Sequence, residues 1–391
     1  MRARIACIVL SLIALAPFGW AQVDPDDVGD GCQVCHLTGV KKCKVHPSSL
    51  AEAEAGVIYC SVATSCEACS GALLVDCKRC SGGPGNVEME TRQLRSARFK
   101  GSPTPAENLF ERELVRVVTA HFDIIIDCEK IKDGSRRMSA HEVAHALATE
   151  AEKAAVLLDE QFGAKLHHYS RRSRIWFWGN PKDHLLVNQK ILGTNDPGAF
   201  KLFGPDPAYS AWTKERGLEN KGMLIVSNGV HIGVHLLLSN LFQNQWIGNF
   251  KAGWFDVGAA HYYENLRFQQ VTTYCIDEAD ANLDYENGRW HVPVRKYLTK
   301  NKKSLLPSLL SKISGTMWDE EHALAWSLYD WVATMHPKAL KPLLVGYKER
   351  KETRDLFKEH LGMTVKQVEE AWRAWVLDTY PVKSPKPRKK L

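Results

Sequence analysis

Short apolar runs rich in β-branched and aromatic residues occur at HFDIIID (121–127), RIWFWGN (174–180) and MLIVSN (223–228), and each predicts a strand. Longer stretches place apolar residues three and four apart. They predict helices over 139–162, 182–192, 230–244, 254–268, 318–336, 338–350 and 364–378. Several helix starts carry their own signals. Thr104-Pro105-Ala106-Glu107 supplies a cap, a proline at the first helical position and a capping-box glutamate. Thr364 and Gln367 repeat the box, and Ser139 stands three residues before Glu142. Strands fall early and helices late, which predicts an α+β body with a mostly helical C-terminal half. Residues 91–103 are polar and basic and read as a connector.

The two ends of the chain follow other patterns. Arg2 and Arg4 precede an apolar run from Ile5 to Ala16, and Gly19 and Ala21 supply small residues for cleavage after Ala21. This is the form of a secretory signal peptide over 1–21, too short for a good membrane span. Elsewhere no uninterrupted apolar run approaches that length. The expectation is therefore an exported protein, periplasmic or extracellular, with no transmembrane segment after signal removal. The formal charge of +6 also belongs to the ends. Two of its cations lie in the signal, and Lys383, Lys386, Arg388, Lys389 and Lys390 lie in a proline-rich tail, 381–391. The body is near neutral, so no nucleic-acid partner is implied. The tail suits contact with an acidic envelope surface.

Cysteines change the picture most. Of the eleven, eight lie between Cys32 and Cys80. Cys32, Cys35, Cys43 and His46 form a pattern that returns 34 residues later as Cys66, Cys69, Cys77 and Cys80. A C-x-x-C turn aims two thiolates at one point, and tetrahedral zinc takes two such pairs. Disulfides are the alternative in an oxidising compartment. Each copy can hold its own zinc, or inner and outer pairs can combine. Cys60 and His36 are spare donors, and Cys128 and Cys275 can bridge if the fold brings them together. Four protein ligands leave no open position, so the expected zinc is structural. The stretches CQVCHLTGVKKCKVH and CEACSGALLVDCKRCSGGPG resemble the cysteine-rich zinc modules of DnaJ-type co-chaperones, with the glycine pattern incomplete. That reading gives a zinc-ribbon-like module over 22–90, followed by a connector and helix over 91–117.

Histidines pair at helical spacing in two places, which puts both imidazoles on one face. His141-Glu142-Val143-Ala144-His145 is a literal H-E-x-x-H, the zinc-peptidase motif in which the glutamate is the general base. Ser139 equally makes Glu142 a helix-cap glutamate. The second pair is His231 and His235, around Ile232. Further on comes Trp254-Phe255-Asp256-Val257-Gly258-Ala259-Ala260-His261-Tyr262-Tyr263-Glu264.

The second layout resembles the peptidase MA-like, or gluzincin, zinc metallopeptidases, which read H-E-x-x-H and later W-L-x-E-G-x-A-x-Y-x-E. HFDIII before a long helix is similar to the family's opening strand. The stretch from AWSLYDWVATMHP to VEEAWRAWV is similar to its closing helices, so the resemblance spans about 118–380. It implies a gluzincin-like domain there. Two positions depart from the family. Ile232 replaces the general base and Val257 replaces the third zinc ligand. Neither aliphatic side chain can take a proton or bind a metal, so a catalytic zinc is doubtful and lost catalysis is expected. His231, His235 and His261 can still form a three-histidine site, with Asp256 or Glu264 behind them. Three functions follow as expectations. The first is a degenerate peptidase domain that binds peptide or an exported protein. The second is an active zinc hydrolase using His141, Glu142 and His145. The third is a scaffold acting through the cysteine-rich module.

Overall fold

The computed structural model describes residues 35, 39–45, 56–64, 66–79, 85–129, 131–219, 221–274 and 285–383. The expected signal peptide, Cys32, His36, His46, Cys80, Cys275 and the tail from 384 onward lie outside the described residues. The architecture is α+β, with strands early and a mostly helical C-terminal half.

The strands are β1 (Val40–Lys42), β2 (Tyr59–Cys60), β3 (Leu74–Asp76), β4 (Arg116–Val118), β5 (Phe122–Asp127), β6 (Ile131–Asp133), β7 (Arg136–Met138), β8 (Ser173–Trp178), β9 (Phe200–Leu202) and β10 (Ala208–Trp212). The main sheet has the order β2-β4-β5-β8-β10-β9. Its centre, β5-β8-β10, is parallel, and the flanking pairings are antiparallel. Strands covered on both faces read as continuous apolar runs. That is why FDIII and IWFW were visible in the sequence: Ile124, Ile125, Ile126, Trp176, Phe177 and Trp178 are all buried. β10 (AYSAW) carries no β-branched residue and gave no such signal. Tyr59–Cys60, from the cysteine-rich stretch, forms the edge of this same sheet by pairing with Val117 and Val118.

The long helix Ala140–Phe162 begins at Ser139, whose side chain accepts from the Glu142 backbone N–H, and ends at Gly163 in the left-handed region, φ 56°. Half of its buried residues are alanine: Ala144, Ala148, Ala151, Ala154 and Ala155. Small side chains let neighbouring elements approach closely. Gly229 on helix Gly222–Asn240 takes part in that approach, since a Cβ there would lie 2.4 Å from Leu147 Cδ1.

The main correction concerns MLIVSN. These residues are the first turns of helix Gly222–Asn240, and no strand forms there. A helix buried on nearly every side has no polar face, so its apolar run shows neither helical nor strand rhythm. Ile225 and Val226 then bias the reading toward β. The parallel position beside β8 belongs to β10 instead. By length and composition this helix also passes for a membrane span, with mean hydropathy 1.4, but 89% of the stretch is buried inside the body. Ser227, Asn228, His231 and His235 interrupt its apolar run. A second correction is Gly85–Lys100, a helix where residues 91–103 read as a connector. It packs along a narrow face only, with Phe99 stacked on Tyr59 at 5.4 Å between ring centroids.

Helix Gly253–Phe268 crosses Asp319–Met335 at a very short distance. Gly258 makes this possible, because a Cβ there would sit 2.5 Å from the Ala325 carbonyl oxygen. Leu340–Lys348, Thr353–His360 and Val365–Thr379 close the body. Trp254 Nε1 donates to the Tyr347 hydroxyl at 3.0 Å, and Trp372 Nε1 donates to Ser327 Oγ at 3.1 Å. Trp254 and Trp372 thus enter the core with their one polar atom satisfied.

Candidate metal centres

The helices Gly222–Asn240 and Gly253–Phe268 carry a chain of buried ionisable side chains between them. His235 Nδ1 lies 3.0 Å from Asp256 Oδ1, and His235 Nε2 lies 3.3 Å from His231 Nε2. His231 Nδ1 is 3.2 Å from Glu264 Oε2, and His261 Nδ1 is 3.7 Å from the same oxygen. His261 Nε2 then meets His322 Nδ1 at 3.1 Å. Asp256, His231, His235, His261, Glu264 and His322 are each 0% exposed. Their partners extend the network. Asp256 Oδ2 accepts from Trp246 Nε1 and Ser314 Oγ, and Glu264 Oε1 accepts from the Thr272 backbone N–H and hydroxyl.

Burial pushes the Asp256 carboxyl up, but the His235 imidazole outweighs it and holds the group below its ordinary value. Burial likewise opposes ionisation of Glu264, and hydrogen bonds from His231 and His261 hold it low. Both carboxylates are therefore anions in the core, balanced by imidazoles.

His231, His261 and Glu264 bring donor atoms within 4.8 Å of one another and can hold a metal ion. The sequence reading placed Glu264 behind the ligands; the geometry puts it among them. It lies two helical turns after Val257. His231 and His235 turn Nδ1 to Glu264 and Asp256 respectively. Ile232 and Val257 are both fully buried in the apolar core.

The cysteines form a separate centre. β1 pairs with β3, matching Val40 to Asp76 and Lys42 to Leu74. This hairpin sets Cys43 of the first copy beside Cys66 and Cys69 of the second. The three sulfurs lie within 4.8 Å of one another and can hold a metal. Cys43 Sγ and Cys66 Sγ are 4.0 Å apart, about twice the length of a disulfide bond. The donors therefore come from both copies and not from one. Cys69 is pushed up to about 12 by burial. Cys66 is also opposed by burial, yet backbone N–H groups of Cys69 and Ala68 hold it below its ordinary value. Cys128 is half-buried, and burial pushes its thiol up to about 12.

In the H-E-x-x-H stretch the glutamate is the helix cap. Glu142 Oε2 accepts from the Ser139 backbone N–H at 2.8 Å, and Oε1 pairs with Arg136 at 3.0 Å. Burial opposes its ionisation only weakly, and the Ser139 N–H, the largest influence, lowers it. Both histidines instead face a residue from β2: His141 Nε2 is 3.1 Å from Cys60 Sγ and His145 Nε2 is 3.3 Å from it.

A fourth cluster escaped the sequence reading. His121 Nδ1 is 2.7 Å from Glu152, and its Nε2 is 3.2 Å from Asp159. Burial lowers its pKa, but the two carboxylates win and raise it to about 9. The folded pKa exceeds the unfolded value of about 6.5, so the charge stabilises the fold fully below that value. The contribution is lost as pH rises toward 9. Urea titrations are expected to show a loss of about 2–3 kcal/mol over that window, absent in His121→Gln. Equal slopes in both proteins would remove His121 as the cause.

No protein-family model matches the chain, and no curated protein matches its sequence.

Proposed function

We propose that this chain is an exported protein whose peptidase-MA-like body has lost hydrolysis and acts by binding an extended peptide or another exported protein. One observation carries the reading. The residue at the general-base position, Ile232, is sealed in the apolar core, and the two carboxylates nearest His231 and His235 are already engaged by imidazoles. Among the described residues, the carboxylates that reach this pair are both held by imidazoles, which leaves them poorly placed to activate a water. A hydrolase built on His141 and His145 meets a similar obstacle, because Glu142 is held in its capping box.

The binding surface is a groove of about 650 Å³ between the long helix and the segment entering β2. Ile58, Ala148, Val156 and Leu157 make it apolar, and Glu152, Lys153 and Arg267 give it charges of both signs. These suit an extended segment with alternating apolar and polar side chains. Zinc belongs to the cysteine-rich part. Cys43, Cys66 and Cys69 supply three of its ligands.

A broad peptide library incubated with the full chain is expected to show no chelator-sensitive cleavage. Cleavage that His231→Ala abolishes would overturn the reading. Library members retained by the protein are expected to bind about tenfold more weakly to Val156→Glu, roughly 1.4 kcal/mol. Unchanged affinity would move the binding site elsewhere.

A further inference from the structure

We infer that Cys60, His141 and His145 form a metal site of their own, separate from the cysteine-rich set and from the buried histidine chain, and that it holds one zinc ion. The three donors come from two distant parts of the sequence. Cys60 sits on the edge strand β2, fixed by pairing with Val117 of β4. His141 and His145 stand one turn apart at the start of the long helix, their rings 4.7 Å apart and inclined by 77°. Both turn Nε2 toward the same sulfur, at 3.1 and 3.3 Å, and the three donor atoms all lie within 4.8 Å of one another.

The spacing fits the ion. Zn–S bonds of about 2.3 Å and Zn–N bonds of about 2.0–2.1 Å at tetrahedral angles separate sulfur from nitrogen by roughly 3.5 Å. A thiolate with two imidazoles is also the borderline-soft donor set that selects zinc over magnesium or calcium. A cysteine–histidine nucleophile is the other chemistry these residues offer. Cys60 is only 1% exposed, so an electrophile has no path to its sulfur. Two imidazoles converging on one sulfur also exceed what a nucleophile needs.

The ion would act as a clamp. It joins strand β2 to the long helix across a loop of some eighty residues, and closing a loop of that size by a metal favours the folded state. Glu142 is held by Ser139 and Arg136 and stands apart from these three donors.

Elemental analysis of the full chain tests the site directly. Cys60→Ala and His145→Ala are each expected to lose one zinc per chain while the remaining zinc is unchanged. His141→Ala, at the half-buried position, disturbs packing least and is expected to lose the same equivalent. Refilling the chain with cobalt adds a second readout. The cobalt–thiolate charge-transfer absorption is expected to fall in Cys60→Ala and to keep its intensity in His231→Ala. Wild-type zinc content in Cys60→Ala and His141→Ala would overturn the inference, whether or not His145→Ala folds. Hydrolysis assays play no part, so this result stands apart from the proposed loss of catalysis.

Discussion

Asp256→Ala is expected to destabilise the protein by about 3–5 kcal/mol, the usual result of removing one partner from a buried charged pair. Asp256 is 0% exposed, lies 3.0 Å from His235 Nδ1 and accepts from Trp246 Nε1 at 2.9 Å and Ser314 Oγ at 3.2 Å. The alanine variant removes the carboxylate from beside His235 and the acceptor from Trp246 Nε1, while Ser314 Oγ keeps the Gly248 carbonyl within reach. The disturbance also reaches His231, since His235 loses the group that orients it. Asp256→Asn keeps the shape and one acceptor oxygen, so a smaller loss of about 1–2 kcal/mol is expected. Denaturant midpoints of the three proteins at neutral pH measure the difference. A loss below about 1 kcal/mol in Asp256→Ala would show that the histidine chain is not a supporting element of the fold.

Ile232→Glu turns the His231–His235 stretch into a literal H-E-x-x-H, and it is expected to yield no hydrolase. Ile232 is 0% exposed and belongs to the main apolar core. A carboxylate at that site has lost its water, so it would hold its proton to a pKa well above 4.3. The sign follows. The unfolded chain releases the proton near 4.3 and the folded one only at higher pH, so stability falls as pH rises through that interval. Destabilisation is expected to be moderate at pH 4 and to exceed about 3 kcal/mol at pH 8. Thermal unfolding of the variant at both values checks the trend. Peptide cleavage by Ile232→Glu at neutral pH would mean that the site lacked only its base, and would return the protein to the hydrolases.

Both experiments address the same physical situation. Ile232 and Val257, both sealed in the apolar core, stand next in sequence to His231 and Asp256, which belong to the buried chain of ionisable groups.

Local chemistry was legible in the chain. Thr104, Ser139 and Thr364 each form the capping box that their sequences announce. Glu142 resolves to the cap role because that interaction needs only four consecutive residues. The runs FDIII and IWFW become central strands, since continuous burial on two faces leaves a continuous apolar trace. The repeat of C-x-x-C pairs announced a metal-binding set, and Cys43, Cys66 and Cys69 do converge.

Other features depended on the fold. MLIVSN has the composition of a strand and is helical, because a helix enclosed by sheet and helices gives up the rhythm that identifies it. The sequence offered His231, His235 and His261 as partners. Only the packing of helix Gly253–Phe268 against Gly222–Asn240 put Glu264 among them, and its close contact with Asp319–Met335 at Gly258 joined His322 to the chain. Cys60 is the sharpest case. As a sequence feature it was a spare cysteine, and the pairing of β2 with β4 carries it to two histidines some eighty residues away. The sequence by itself determined what each segment could do within one or two helical turns, because caps, spacing and burial period act at that range. Which donors meet was decided by strand pairing and helix crossing, whose partners lie too far apart in the chain for any local pattern to record.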